Sequence, residues 1–328
     1  MIQELSRSDY GVRIHRKQTI HTAVTVLIGL LLISSLVVVF IGWRARKGNE
    51  RKELLRLWES GSYADVQRIS GERLAAKPMD YFLLTLHGFS SYELAIAQIN
   101  SLDTLKYIND SIASLRKALL SKEGSADARL HYVLGKAYYY KGPSYADLAI
   151  RYLEMAREGS WVARDIPEYL GLAYASVQDY RNSVAAFSMA LNAPDTGAEG
   201  TAAGENQGGI SHPSDLLLLS IARSYIALGE EDSAMAYLVR CLESSRDSDI
   251  RVTARLLMGD ILGKSGDTAA AETQYLTILE ENGENADAHY RLGELYAAGG
   301  DPTRARAEWR RAVRIDPAHK PSRTRLNM

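Results

Sequence analysis

Two hydrophobic patterns divide the chain. From Gln18 to Trp43 there is no Asp, Glu, Lys or Arg, and residues 23–43 read AVTVLIGLLLISSLVVVFIGW. At about 1.5 Å per residue that run makes a helix roughly 31 Å long, which matches a hydrocarbon core of about 30 Å. Beyond residue 52 the apolar positions recur at steps of three and four, the spacing of amphipathic helices packed on one face. Over 102–119, for example, Leu102, Leu105, Ile108, Ile112, Leu115 and Leu119 make one apolar stripe.

The apolar run is expected to span a membrane once. A buried core helix of that length seldom lacks charge, whereas basic flanks with a tryptophan at the boundary are what membrane interfaces select. A cleaved signal peptide has a shorter apolar region ending in a small-residue site. Here Phe40 is followed by Ile-Gly-Trp-Arg-Ala-Arg-Lys, so the helix stays as an anchor. The formal net charge of −1 hides an asymmetry: residues 1–22 and 43–52 together carry +6, which leaves −7 for the remainder. A mildly acidic body argues against nucleic acid as a partner, since duplex phosphates call for a basic face. The basic residues flanking the span are slightly more numerous on its C-terminal side, which leans towards a cytoplasmic body.

Within the helical region a Leu-Gly-x-x-Tyr element returns with small and aromatic residues at fixed offsets. Its clearest copy is Leu292-Gly293-x-x-Tyr296, followed by Gly300-Asp301, Ala305, Trp309, Ala312 and Pro317. Earlier copies centre on Met258-Gly259 (with Ala271 and Tyr275), Ile221-Ala222 (with Ala234, Leu238 and Cys241), Leu170-Gly171 (with Ser183, Phe187, Ala190 and Pro194) and Leu134-Gly135 (with Ala149, Leu153 and Ala156). Gly135, Gly171, Ala222, Gly259 and Gly293 thus mark successive copies at a nearly constant interval, with one long step from Gly171 to Ala222. The Leu134 copy carries two extra residues in its turn, at Gly142-Pro143-Ser144-Tyr145. The long step holds an excess of Gly, Ala, Ser, Thr and Asn at 195–213, a composition too poor in apolar residues to order itself. Upstream, Leu54 to Ala76 and Tyr81 to Leu120 read as two divergent copies, the second helix of the first running from Ala64 to Ala76.

These motifs resemble the tetratricopeptide repeat (TPR) family. The resemblance implies an all-α fold, a superhelix of helical hairpins preceded by one transmembrane helix. The expected organisation is an N-terminal tail (1–18), the spanning helix (19–43), a basic juxtamembrane segment (44–52), a first repeat block (53–194), a flexible insertion (195–213), a second block (214–317) and a basic C-terminal tail (318–328). In this family the motif residues are scaffold, and the first helix of each repeat lines the inner groove. Transferred onto this chain, that rule makes Arg129, Tyr132, Lys136, Tyr139, Tyr140, Glu168 and Arg223 the candidate partner-binding residues. Arg129 and Lys136 are expected to be exposed, giving a basic, tyrosine-rich groove suited to an acidic peptide or a C-terminal carboxylate.

Candidate chemistry adds little. Cys241 is the only cysteine, which excludes an intramolecular disulfide framework and a thiolate-rich metal site, and its place in the repeat marks it as a small packed residue. Gly263-Lys264-Ser265 lacks the spacing and the preceding strand of a phosphate-binding loop. The seven histidines show no metal-ligand spacing, and no nucleophile has a base beside it. No catalytic residue, metal or cofactor is expected. The arginine-rich run from Arg304 to Arg325 reads as the polar face a solenoid's last helix needs for solubility, or as a patch for anionic lipid or an acidic partner. The expected function is a membrane-anchored scaffold that binds proteins or peptides, with the bilayer as its other partner through residues 19–43. Two bacterial inner-membrane families share that layout, the translocon-associated YfgM-like proteins with the body outside the cytoplasm and the LapB-like adaptors with it inside. The alternative is accordingly an extracytoplasmic chaperone-like or translocon-associated protein.

Overall fold

The computed structural model describes residues 51–98, 101–159, 163–192 and 215–327. The expected tail 1–18, the spanning helix 19–43, most of the basic segment 44–52 and the insertion 195–213 lie outside them. Among the described residues the regular structure is entirely helical. Seven hairpins follow one another: α1 (residues 51–59) with α2 (Tyr63–Ala76), α3 (Tyr81–Ile96) with α4 (Ser101–Ala118), then, after a single turn α5 (Lys122–Ser125), α6 (Ala128–Lys141) with α7 (Ala146–Glu158). The array continues with α8 (Ile166–Ser176) and α9 (Tyr180–Leu191), α10 (Asp215–Leu228) and α11 (Glu231–Ser244), α12 (Ser248–Ser265) and α13 (Thr268–Glu281), and α14 (Ala286–Ala298) and α15 (Pro302–Ile315), closed by α16 (Lys320–Leu326).

Short polar residues start these helices. The carboxylates of Asp80, Asp127, Asp179, Asp247, Asp267 and Asp301 and the amide of Asn285 accept the first free backbone N–H groups. Each such cap contributes about 0.5–2 kcal/mol. Gly266 stops α12 in the left-handed region at φ +89°, so Gly263 to Ser265 are the last turn of a helix. The extra residues after α6 form a 3₁₀ turn, Pro143–Tyr145, placed in the connection as the spacing predicts.

The repeat glycines explain how the hairpins close. A Cβ built on Gly171 would stand 2.4 Å from the ring of Phe187; on Gly259, 2.4 Å from Tyr275; on Gly293, 2.4 Å from Trp309; on Gly135, 2.6 Å from Leu153. Each first helix thus offers bare backbone where the second offers a large side chain, and the partner residue is buried in every case. The first three pairs share one sequence separation. Gly135 and Leu153 stand slightly further apart in sequence, which is the turn insertion again. Gly88 belongs to the same series, 2.5 Å from Leu115, and supplies the register that the divergent second copy hides. The extra length of α3 and, chiefly, of the N-terminal part of α4 displaced that partner and masked it in the sequence. At the corresponding places of the first hairpin stand Leu54 and Ser70, both fully buried, with large and small exchanged between the helices.

Three expectations change. The stripe on α4 is only half buried: Ile108, Ile112 and Leu115 pack inside, while Leu102 is 75% exposed and Leu105 43%, because α4 extends past the hairpin's core at its N-terminal end. The second helix of the first hairpin starts at Tyr63 rather than Ala64. Residues 320–326, expected within a basic tail, fold as α16. His319 caps it by accepting the Ser322 N–H at 3.3 Å, its Nε2 meets Asp287 Oδ1 at 3.2 Å, and Arg325 holds Glu294 through two contacts of 2.8 and 2.5 Å. The two blocks also pack on each other. Phe187 of α9 shares a cluster with Leu217 and Ile221 of α10, and the buried Ser183 and Ser224 hydroxyls lie 3.0 Å apart. Cys241 is fully buried among Leu218, Leu238 and Ala254, as its place in the repeat predicts, and burial pushes its thiol up.

Two outcomes follow from this packing. Gly171→Ala is expected to cost about 1–3 kcal/mol through overpacking against Phe187. Urea unfolding should show Gly171→Ala/Phe187→Leu losing less than the sum of its singles, whereas strict additivity would place the contact elsewhere. Burial also lowers the pKa of His87 and His131, so both favour the neutral form when folded. Their contribution is complete above the unfolded histidine value of about 6.5 and is lost as pH falls below it. The thermal midpoint should therefore drop between about pH 7 and pH 5, and His131→Phe should flatten that drop.

Candidate functional site

Successive first helices touch one another directly, α3 with α6, α6 with α8, and onward through α10 and α12 to α14, so they form the inner layer of the array. A polar cluster of that layer sits where α3, α6 and α8 meet. Lys136 of α6 is at its centre and is only 5% exposed, which corrects the expectation of a free cation. Its ammonium donates to Asp165 Oδ2 at 2.9 Å and to the Tyr132 hydroxyl at 2.9 Å. Tyr132 in turn donates to both oxygens of Asp165, at 2.8 and 2.7 Å. Aromatic rings enclose the cation: Tyr169 lies 4.5 Å away, Tyr132 4.9 Å and Tyr92 5.7 Å. A cation over a ring face gains roughly 0.5–2 kcal/mol, most when desolvated.

Asp165 is the N-cap residue of α8, yet its side chain makes no capping bond. It turns to α6 instead, where it balances Lys136 while its charge remains at the positive end of the α8 dipole. Tyr132 and Lys136 therefore latch one repeat to the next and present no ligand-binding charge. Both lie on the inner layer formed by the first helices. Burial decided their role.

The accessible part of the cluster is aromatic. Tyr140 is exposed, and its hydroxyl meets that of Tyr169 at 3.0 Å. The Tyr139 ring stands edge-on to Tyr140 and Tyr169, at 5.5 Å from each, and Tyr140 leans on Tyr92 at 6.2 Å. Burial raises the pKa of Tyr92, Tyr139 and Tyr169, so these hydroxyls stay protonated at neutral pH. Glu168 is half-buried beside Tyr139 and Tyr169 and raises both further. Arg129 is exposed but engaged, its Nε and Nη2 on the two oxygens of Asp127 at 2.9 and 2.7 Å, where Tyr81 also donates at 2.7 Å. Arg223 is exposed on α10 and joins none of these contacts.

With Lys136 and Arg129 both ion-paired, this stretch of the layer is a neutral to acidic tyrosine surface, and not the basic groove that the side-chain inventory implied. Three of its members were missed. Tyr92 belongs to the copy whose register was hidden, and Tyr169 stands beside the transferred groove position Glu168 rather than on it. Asp165 lies in the helix cap of the following repeat, far from Lys136 in sequence. No sequence period links that pair. Among the described residues no cluster of His, Cys, Asp and Glu could hold a metal ion.

With this geometry in view, two stretches match tetratricopeptide-repeat families: residues 217–248 and residues 256–320. No curated protein matches the sequence significantly. Among solved structures, the C-terminal part of a TPR repeat-containing protein from Cytophaga hutchinsonii is 15% identical, with 85% of this chain and 100% of that one covered at a TM-score of 0.57. PilW, described as a widely conserved type IV pilus biogenesis factor, is 17% identical over 73% of this chain and 98% of its own, at 0.54. PilF of Pseudomonas aeruginosa is 16% identical over 73% and 96%, at 0.50. At these identities the likeness concerns the fold. The chain contains tetratricopeptide repeats, and its described helices form an all-α TPR solenoid, a class of protein-interaction scaffold.

The latch can be tested apart from any partner. Lys136→Ala and Asp165→Ala should each destabilise the array by about 1–3 kcal/mol, because either leaves a partly buried charge without its hydrogen bonds. The double variant should lose clearly less than the sum. A Lys136→Ala protein with wild-type stability in urea would instead make that side chain free for ligand.

Proposed function

We propose that this protein is a membrane-anchored scaffold whose inner helical layer binds a segment of a partner protein and so organises an assembly at the membrane surface. The observation that carries the reading is the accessible tyrosine surface of Tyr139, Tyr140 and Tyr169 on the inner layer, braced from behind by Tyr92 and the Lys136–Asp165 latch. Tyrosine combines a broad apolar face with a hydroxyl that donates and accepts, which suits an extended backbone crossing several helices. Because the nearby cations are paired within the protein, recognition rests on aromatic contact and hydrogen bonds rather than on a carboxylate clamp.

The anchor part of the proposal rests on residues 19–43, whose length, lack of charge and basic flanks fit one membrane span. The flanking charges favour the array on the cytoplasmic side of an inner membrane. No catalytic step, metal or cofactor is part of this reading.

A photo-crosslinking residue placed at Tyr140 of the full chain should trap a discrete partner in membranes, while one at Arg151 on an outer helix should not. Equal labelling from both places, or labelling from Arg151 alone, would move the binding surface off the inner layer. In the same preparation, removal of residues 19–43 should transfer the protein from the membrane to the soluble fraction. Retention in the membrane after that deletion would defeat the anchor.

A further inference from the structure

The end of the array carries a second surface. In some hairpins the outer helix uses a residue one or five places after its buried small residue to reach the following repeat. On α7 the small residue is Ala149, and Glu154 accepts from Tyr174 of α8 at 3.0 Å. On α13 it is Ala271, and Glu272 accepts from Tyr296 of α14 at 2.5 Å. On α4 it is Ser111, and Arg116 lies near enough to Tyr138 of α6 for its charge to act on that hydroxyl. On α15 it is Ala305, and the corresponding places are Arg306 and Arg310. Among the described residues no hairpin follows. Both side chains are exposed, and Arg314 continues the row at the same four-residue step.

The structure sorts the arginines of this end into two sets. Arg291 is paired with Asp260, Arg304 with Glu272, Arg311 with Glu308 and Arg325 with Glu294. Among the described residues Arg306, Arg310 and Arg314 enter no ion pair, and neither do Lys320 and Arg323 of α16. The nearby acids are engaged elsewhere: Glu308 is buried between His289 and Arg311, and Asp316 accepts the Ala318 N–H. Like charges four residues apart on one helix face repel by a few tenths of a kcal/mol per pair, roughly 0.2–0.5. The row is therefore held against its own repulsion. It also has an apolar floor, since Val313 and Leu326 line a shallow cleft together with Arg310 and Arg314. The α16 helix packs on α15, with Arg325 over the Trp309 ring, and is tied to α14 through His319 and Arg325, while Arg306, Arg310 and Arg314 stay exposed beside it.

We propose that the exposed arginine row of α15 docks an acidic helical segment of a partner protein, which lies along α15 beside α16. Its carboxylates meet Arg306, Arg310 and Arg314, and its apolar side chain enters the cleft of Val313 and Leu326. Arginine forms two parallel hydrogen bonds to a carboxylate, and a row at helical spacing matches carboxylates at helical spacing. A membrane surface would require only positive charge, not this register or the apolar cleft at its centre. This surface is separate from the tyrosine layer, so either can fail without the other.

The test uses the full chain in nanodiscs of phosphatidylcholine and two fluorescent helical peptides of equal length and charge. One has glutamates at i, i+4 and i+8 beside a leucine row, and the other is its scramble. The matched peptide should bind at least tenfold more tightly than the scramble, with an affinity that falls as salt rises. Arg306→Glu/Arg310→Glu/Arg314→Glu should remove that binding while circular dichroism stays unchanged, and Arg181→Glu on α9 should leave it intact. Equal affinity for the matched and scrambled peptides would overturn the proposal. So would binding that survives the triple reversal, or an arginine row that responds only to phosphatidylglycerol added to the nanodisc.

Discussion

The whole array depends on one steric arrangement, a helix that presents bare backbone to the largest side chain of its hairpin partner. Gly171 against Phe187, Gly259 against Tyr275 and Gly293 against Trp309 leave no room for even a methyl group, since a Cβ would fall 2.4 Å from the ring in all three. Close approach is what allows a two-helix unit to bury an aromatic side chain. The same approach fixes the angle at which the hairpin leaves the next one, so a local contact repeated along the chain becomes a superhelix. Ala222 with Leu238, both fully buried, and the exchanged pair Leu54 and Ser70 indicate that the constraint is on summed volume rather than on glycine itself.

Stacking the units creates an inner layer with polar requirements of its own. Lys136 cannot be buried unless its charge is matched, and the match comes from the neighbouring repeat, where Asp165 gives up helix capping to supply it. The tyrosines around the pair keep water from the cation and present their outer edges along the layer. One cluster thus has two parts, with Tyr132 and Lys136 bracing the junction and Tyr139, Tyr140 and Tyr169 forming its accessible side. The junction between the two blocks follows the general pattern, because Phe187, Leu217 and Ile221 close over it as any two repeats would.

The last described hairpin differs from an internal junction. At the C-terminal end of the described array the α16 helix satisfies Asp287 and Glu294 of α14 through His319 and Arg325, while the arginine row of α15 is left without acceptors. On α7 and α13 a residue at one of those positions holds the next repeat, Glu154 to Tyr174 and Glu272 to Tyr296.

The sequence by itself determined the helical class, the hairpin period and the identity of the packed residues, because Gly, small and aromatic positions at fixed offsets act through contacts within a single hairpin. Five hairpins were legible in this way, and Cys241 could be placed in the core from its offset alone. The register of the second hairpin was not legible, because its longer helices, α4 above all, moved Leu115 well past the usual offset from Gly88. Only the tertiary structure decided which inner-layer residues are free. Lys136 and Arg129 look alike as groove cations in the sequence, yet one is enclosed by Asp165 and Tyr169 of the next repeat and the other is clamped by its own helix cap. The same holds for α16 and the arginines of α15, whose pairing depends on carboxylates brought near by folding. A periodic pattern records what each hairpin needs to close, and ion pairs between hairpins follow no period.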